Sequence, residues 1–251
     1  MTFTQTAIVA MAAFACGAVN AVAGGGSLIL FPALVASGLP TLSANVTNAV
    51  ATWPGYLGGV LGFREELKDQ KGRLVTLSLF TVAGSLSGCV LLLTTPSEAF
   101  DSVVPALVLF ATGLLWVQPR VKKWMARRAP TKDKPNRGLY PALFLAAIYG
   151  GYFGGALGVI VISALALTMV GELPKLNALK GALSLVNCTV TVVIFSLFGP
   201  VVWSSVALAA PCTLLGGYAG ARFARRLNDK VLRWSIIGLG LAVSIYLYLQ
   251  I

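Results

Sequence analysis

Apolar residues fill the chain in long blocks, at 3–36, 42–61, 74–94, 100–117, 140–170, 176–198, 201–221 and 231–251, and polar residues gather in the gaps between them. About 20 apolar residues are what an α-helix needs to cross a bilayer. Helices that face lipid or one another are apolar all round, so no amphipathic period is expected within a block. The pattern predicts an all-α polytopic membrane protein. Pro40, Pro96, Pro174 and the Gly199-Pro200 pair fall between blocks and mark helix ends.

Two blocks are too long for one crossing. At about 1.5 Å per residue, 3–36 would make a helix of roughly 51 Å and 140–170 one of roughly 46 Å, against a hydrocarbon core of about 30 Å. Both also carry glycines, poor residues for a helix interior. Gly24, Gly25 and Gly26 interrupt the first block; Gly150, Gly151, Gly154 and Gly155 interrupt the second.

Loop charge tests how these blocks are threaded. The gap holding Arg64, Lys68, Lys71 and Arg73 is basic, as is the segment with Arg120, Lys122, Lys123, Arg127, Arg128, Lys132, Lys134 and Arg137. The positive-inside rule puts both in the cytoplasm, and the gap with Glu98 and Asp101 outside. Single crossings throughout would then leave Arg222, Arg225, Arg226, Lys230 and Arg233 outside. If block 140–170 enters and returns to the same face, those residues and Lys175 become cytoplasmic. The same behaviour in block 3–36 places both termini outside.

Each half is then a re-entrant or broken helical hairpin followed by three transmembrane helices, and the odd number of crossings makes the halves inverted repeats. The expected organisation is a first transmembrane repeat at 1–118, a basic cytoplasmic linker at 119–138, and a second, inverted repeat at 139–251. "SGLPTLSA" from Ser37 resembles "GELPKLNA" from Gly171, each following a glycine-broken block. Inverted repeats with interrupted helices are the architecture of secondary transporters, with the binding site at the breaks.

Composition narrows the function classes. The chain has 251 residues, 57% hydrophobic and 11% charged, with a net charge of +11. The basic residues lie in loops rather than on a soluble domain, so no nucleic-acid partner is expected, whereas contact with anionic membrane lipid is. Cys16, Cys89, Cys188 and Cys212 each sit inside an apolar block, and there is no histidine. No metal, cofactor or disulfide framework is expected, and enzyme chemistry lacks its usual acid, base and nucleophile. "MTFTQT" carries no basic residue, so the first block is expected to stay rather than serve as a removable signal.

A helix that starts inside the membrane turns its first N–H groups and the positive end of its dipole toward the break, which suits an anion. Helices starting near Gly26-Ser27 and near Gly155-Ala156 would meet from opposite sides. Candidate substrate-binding residues are therefore Gly24, Gly25, Gly26 and Ser27 with Thr47 and Asn48 from the first half. From the second they are Gly154, Gly155, Asn177, Lys180 and Asn187. Lys180 either serves the cavity or snorkels to an interface, and the asparagines and threonines either bind or tie helices together. Gly58, Gly62, Gly84, Gly88, Gly216 and Gly220, at small-xxx-small spacing, read as helix packing.

"GGGSLILFPAL" followed by "GLP" and "ANVTN", and "FGGALG" followed by "LNALKGALSLVN", resemble the two repeats of the TauE/SafE sulfite-exporter family. The likeness spans nearly the whole chain, although Tyr152-Phe153 interrupts the second glycine run. The resemblance implies transport of sulfite, an organosulfonate or a related small sulfur-containing or carboxylate anion. The expected function is a secondary transporter that exports such an anion by alternating access across a bacterial-type cytoplasmic (inner) membrane, and an oligomer is compatible with it. An anion channel of the same architecture, or a non-transport membrane assembly subunit, are the alternatives.

Overall fold

A computed structural model describes residues 3–22, 24–127, 138–169, 173–223 and 229–248. Among the described residues there is no strand. The order is α1 (Phe3–Val22), α2 (Ser27–Ala36), α3 (Thr41–Gly62), the short α4 (Arg64–Leu67), α5 (Lys71–Thr94) and α6 (Ser97–Arg127), then α7 (Leu139–Tyr152), α8 (Leu157–Thr168), α9 (Leu173–Phe198), α10 (Trp203–Phe223) and α11 (Asp229–Tyr248). A 3₁₀ turn, Lys68–Gln70, joins α4 to α5.

Both overlong blocks are broken where the glycines stand. Gly24 has φ +86° and Gly154 φ +74°, the left-handed region that glycine enters without cost. Each donates its N–H five residues back, Gly24 to Val19 O and Gly154 to Tyr149 O, a 6→1 closure typical of a helix ending at a left-handed glycine. Gly150 and Gly151 lie within α7 rather than at its break.

Prolines end or open the other helices. Pro40 has an extended backbone ahead of α3, and Thr95 is extended ahead of Pro96. Pro174 differs from its expected place between helices: it occupies the first turn of α9, where a missing N–H costs nothing. The basic stretch after the fourth block also begins as helix, because α6 continues through Pro119 to Arg127. Arg128, Lys132, Lys134 and Arg137 of the expected linker, and Arg225 and Arg226, lie outside the described residues, as do Gly171 and Glu172 of the matched octapeptide.

By length and composition, four of the described helices can cross a membrane: Phe3–Val22, Lys71–Thr94, Ser97–Arg120 and Pro174–Phe198. Helix α3 is as long as these but carries a row of polar side chains. Large apolar residues such as Leu79, Val90, Leu145, Leu197 and Leu215 are exposed, as on a surface that meets lipid.

Helix contacts occur in matched sets. Helix α1 packs along α10, and α7 along α5; α3 also meets α10, and α9 meets α5. In the same way α2 touches α11 while α8 touches α6, and the α3–α9 and α6–α11 pairs complete the set. The backbones approach closely at small residues. A Cβ on Gly84 or Gly88 would run into the carbonyls of Phe144 or Ile148 on α7, and one on Gly216 into the carbonyl of Phe14 on α1. Gly58, Gly62 and Gly220 are closed off in the same manner by Leu214, Ala221 and Ala18, the packing that small-xxx-small spacing predicts.

Polar contacts fix the relative direction of α3 and α9. The Gln70 amide, just before α5, donates to Lys175 O in the first turn of α9 at 3.1 Å. At the other end, Val202 N–H, past the end of α9, donates to Thr47 Oγ1 near the start of α3 at 3.0 Å. The two helices therefore lie antiparallel. Leu139, Met169, Leu176 and Leu77 share one apolar cluster, so the beginning of α7 and the end of α8 sit together beside the starts of α5 and α9.

Candidate functional site

The two breaks touch. A Cβ added to Gly24 would lie 2.7 Å from the Cα of Gly158, and one added to Gly158 would lie 2.7 Å from the Cα of Gly24. The hairpins thus cross backbone against backbone, with the first turns of α2 and α8 beside the crossing.

Next to this crossing is a small polar cavity between the halves. Helix α3 lines it with Asn48, Thr52 and Tyr56, and α9 with Ser184, Asn187, Cys188 and Thr191. The hairpins contribute Ser27 at the start of α2 and Phe153, Gly154 and Leu157 around the start of α8. Its volume of about 20 Å³ accommodates about one water.

Two of its polar groups are buried without a partner. Asn48 is 2% exposed and Ser184 fully buried, and neither Asn48 Oδ1 nor Ser184 Oγ makes a hydrogen bond. A buried unpaired polar atom costs about 1–3 kcal/mol, which a ligand in the cavity can recover. Other cavity groups are satisfied within the protein. Asn187 Nδ2 donates to Ala147 O at 3.1 Å, Thr52 Oγ1 donates to Ala49 O at 3.0 Å, and Cys188 Sγ donates to Ala49 O at 3.3 Å.

The expected site residues divide by position. Ser27, Asn48, Gly154 and Asn187 line the cavity. Gly24 forms the crossing, and Gly26 is pressed on the carbonyl of Cys16 while its N–H donates to Asn20 Oδ1 at 2.8 Å. Gly25 faces the flexible end of Leu115, and Gly155 lies under the Phe153 ring. Thr47 is held at the outer part of α3 by Val202. These glycines bring backbones together; the walls of the cavity are mostly side chains.

Lys180 is 2% exposed and points inward. Its ammonium lies 3.5 Å from Asn20 O and 3.4 Å from Ala21 O, at the C-terminal end of α1. There the negative end of the helix dipole stabilises a cation. Asn177, one turn earlier, donates to Ala21 O at 3.5 Å, and Asn45 of α3 donates to Tyr152 O at the end of α7 at 3.0 Å. Each half thus ends the other half's broken helix with an asparagine.

Sequence reasoning missed Thr52, Tyr56, Ser184, Cys188 and Thr191. The signal was present as helical spacing: Asn48, Thr52 and Tyr56 recur every fourth residue, and Ser184, Asn187, Cys188 and Thr191 follow the i, i+3, i+4, i+7 pattern of one helix face.

The chain is similar to known proteins along nearly its whole length. The model of the family described as sulfite exporter TauE/SafE matches residues 9–247. "Probable membrane transporter protein ORF9" of Sinorhizobium sp is 25% identical over 98% of this chain and 94% of its own length. "Probable membrane transporter protein YfcA" of Escherichia coli K12 is 26% identical over 90% and 82%, and a "Probable membrane transporter protein" of Haemophilus influenzae is 26% identical over 92% and 89%. No solved structure matches the chain. With apolar helices of spanning length and a family match over almost its full length, the chain is an integral membrane protein that belongs to the sulfite exporter TauE/SafE family of membrane transporters.

Proposed function

We propose that this protein is a secondary transporter that exports a small anion, such as sulfite or an organosulfonate, across a bacterial-type cytoplasmic membrane. The observation that carries the reading is the polar cavity at the crossing of two broken helices, with Asn48 and Ser184 buried and unpaired on its walls. Ser184 can donate its hydroxyl proton. The Asn48 amide, turned about its last torsion, offers N–H groups in place of Oδ1. The first turns of α2 and α8 add N–H dipoles from two sides, and the buried side chain of Lys180 passes the crossing, its Cδ 3.4 Å from where a Cβ on Gly158 would stand.

The organisation supports a reading of alternating access. The matched helix contacts, the two left-handed glycines at equivalent breaks and the reciprocal asparagine bonds support two repeats, each a hairpin and three crossings. The bond from Gln70 to Lys175 supports the inverted threading, since it joins two segments that the loop charges assign to the cytoplasm. Both termini then lie outside. The small volume of the cavity, about 20 Å³, supports a carrier over a channel, because a channel keeps a continuous path open.

The test is flux in proteoliposomes. Sulfite, sulfate, thiosulfate, sulfoacetate and small carboxylates are offered in turn, and accumulation against a gradient of the transported anion separates carrier from channel. Asn48→Ala combined with Ser184→Ala lowers apparent affinity at least tenfold while the melting temperature stays within a few degrees, and Lys180→Gln also weakens binding. Unchanged affinity in both the double variant and Lys180→Gln removes the cavity from the transport path.

A further inference from the structure

A second cavity lies further along the same two helices. Asn20 and Ala21 of α1, Gly55, Gly59 and Val60 of α3 with Phe63 just past its end, and Asn177 and Gly181 of α9 are among its walls. Along α3 the first cavity takes residues 48, 49 and 52, and the second takes 55, 59, 60 and 63; along the antiparallel α9 the first takes 184 to 191 and the second 177 to 181. At about 1.5 Å per residue their centres are separated by roughly 13 Å along the helix axis. The two pockets, of about 20 and about 10 Å³, lie in succession, the second nearer the end of α3 where Arg64 and Lys68 follow.

Among the residues described, Tyr56 is common to both linings. It is 8% exposed, and its side chain lies on the wall of both pockets. Two residues earlier, Pro54 stands inside α3, where it deprives the helix of one i→i−4 hydrogen bond and allows the segment beyond it to bend. On the side facing α9, the neighbours of Tyr56 in the second chamber are small: a Cβ on Gly59 meets only Ala21, at 3.5 Å, and one on Gly181 meets only Val60, at 3.8 Å.

We propose that Tyr56 is the inner gate: its ring separates the binding cavity from a vestibule facing the Arg64–Lys68 side, and bending of α3 at Pro54 moves it aside. The assignment rests on the reading of the first cavity as the substrate site. It makes Tyr56 a positioning residue for access rather than a ligand, and the barrier is the ring itself rather than its hydroxyl.

The experiment reads access directly, without requiring transport. Vesicles of the full chain exposing the Arg64–Lys68 face are treated with the membrane-impermeant anionic thiol reagent methanethiosulfonate ethylsulfonate, and peptide mass spectrometry follows labelling of Cys188 in the first cavity. Asn177→Cys reports the vestibule. Tyr56→Ala raises the Cys188 rate at least tenfold, Tyr56→Phe leaves it at the parent value, and Asn177→Cys is labelled at one rate in all backgrounds. If Tyr56→Ala is not recovered folded, Tyr56→Val serves the same comparison with a several-fold rise. A Cys188 rate that is indifferent to loss of the ring, or that Tyr56→Phe raises equally, overturns the gate. Protection of Cys188 by sulfoacetate, which does not react with the reagent, is scored separately: faster labelling in Tyr56→Ala without sulfoacetate protection keeps the gate and removes that anion as the occupant.

Discussion

Neighbouring glycines in one run perform different tasks. Gly24 needs a positive φ and has the backbone of Gly158 against it, whereas Gly25 meets only the methyl groups of Leu115, which can shift. Gly24→Ala combines a strained backbone with a contact no rotamer relieves, and a loss of about 2–3 kcal/mol in stability is expected. Gly25→Ala leaves stability within about 1 kcal/mol. Thermal unfolding of both variants in one detergent checks the pair; equal melting temperatures would show that the crossing tolerates a methyl group. The need for a break at this run was legible from the excess length of its block. The division of labour was not, because it depends on what the other hairpin places opposite each α-carbon, and a glycine run contains no trace of its partner. Lys180 was ambiguous for a similar reason: only the end of α1 decides whether its ammonium turns inward.

At the scale of elements, each broken helix is ended by a side chain from the opposite half. Asn45 closes α7 at Tyr152 O, and Asn177, together with Lys180, closes α1 at Ala21 O. Replacing Asn45 by leucine leaves a helix-end carbonyl without its donor inside the protein. We expect a cost of about 1–3 kcal/mol, with faster hydrogen exchange concentrated at the end of α7 and the start of α8. Exchange that rises only along α3 would place the effect in that helix instead. Helix number, the two breaks and most helix ends could be read from apolar blocks and prolines. The polar faces of α3 and α9 were also there to be read, as stripes at helical spacing, but in a membrane such stripes are equally the mark of interhelical hydrogen bonds. The cavity distinguishes the two uses, since Asn187 and Thr52 are internally bonded while Asn48 and Ser184 are not.

For the whole molecule, the loop charges and the helix contacts lead to one proposed threading. Single cysteines at Lys175 and Arg73 should be labelled by an impermeant reagent from the same face of the membrane, and cysteines at Ser97 and Trp203 from the other. Labelling of positions 73 and 175 from opposite faces would break the inverted arrangement, whatever the substrate proves to be. Charge alone suggested this threading through Arg222, Arg225, Arg226, Lys230 and Arg233, and the contact of Gln70 with Lys175 supports it from independent geometry. The folding chain must bring these segments together across more than a hundred residues, and no local pattern encodes such a pairing.

The meeting of Gly24 and Gly158 has a mechanical consequence. Where helices mesh through side chains, a tilt requires rotamers to change in step, and each change adds a barrier. Here two bare α-carbons meet, so one hairpin can roll over the other with nothing to disengage. We expect such a joint to act as a bearing, with displacement smallest at the contact and growing toward the helix ends, and a single methyl group on either surface acting as a tooth that catches.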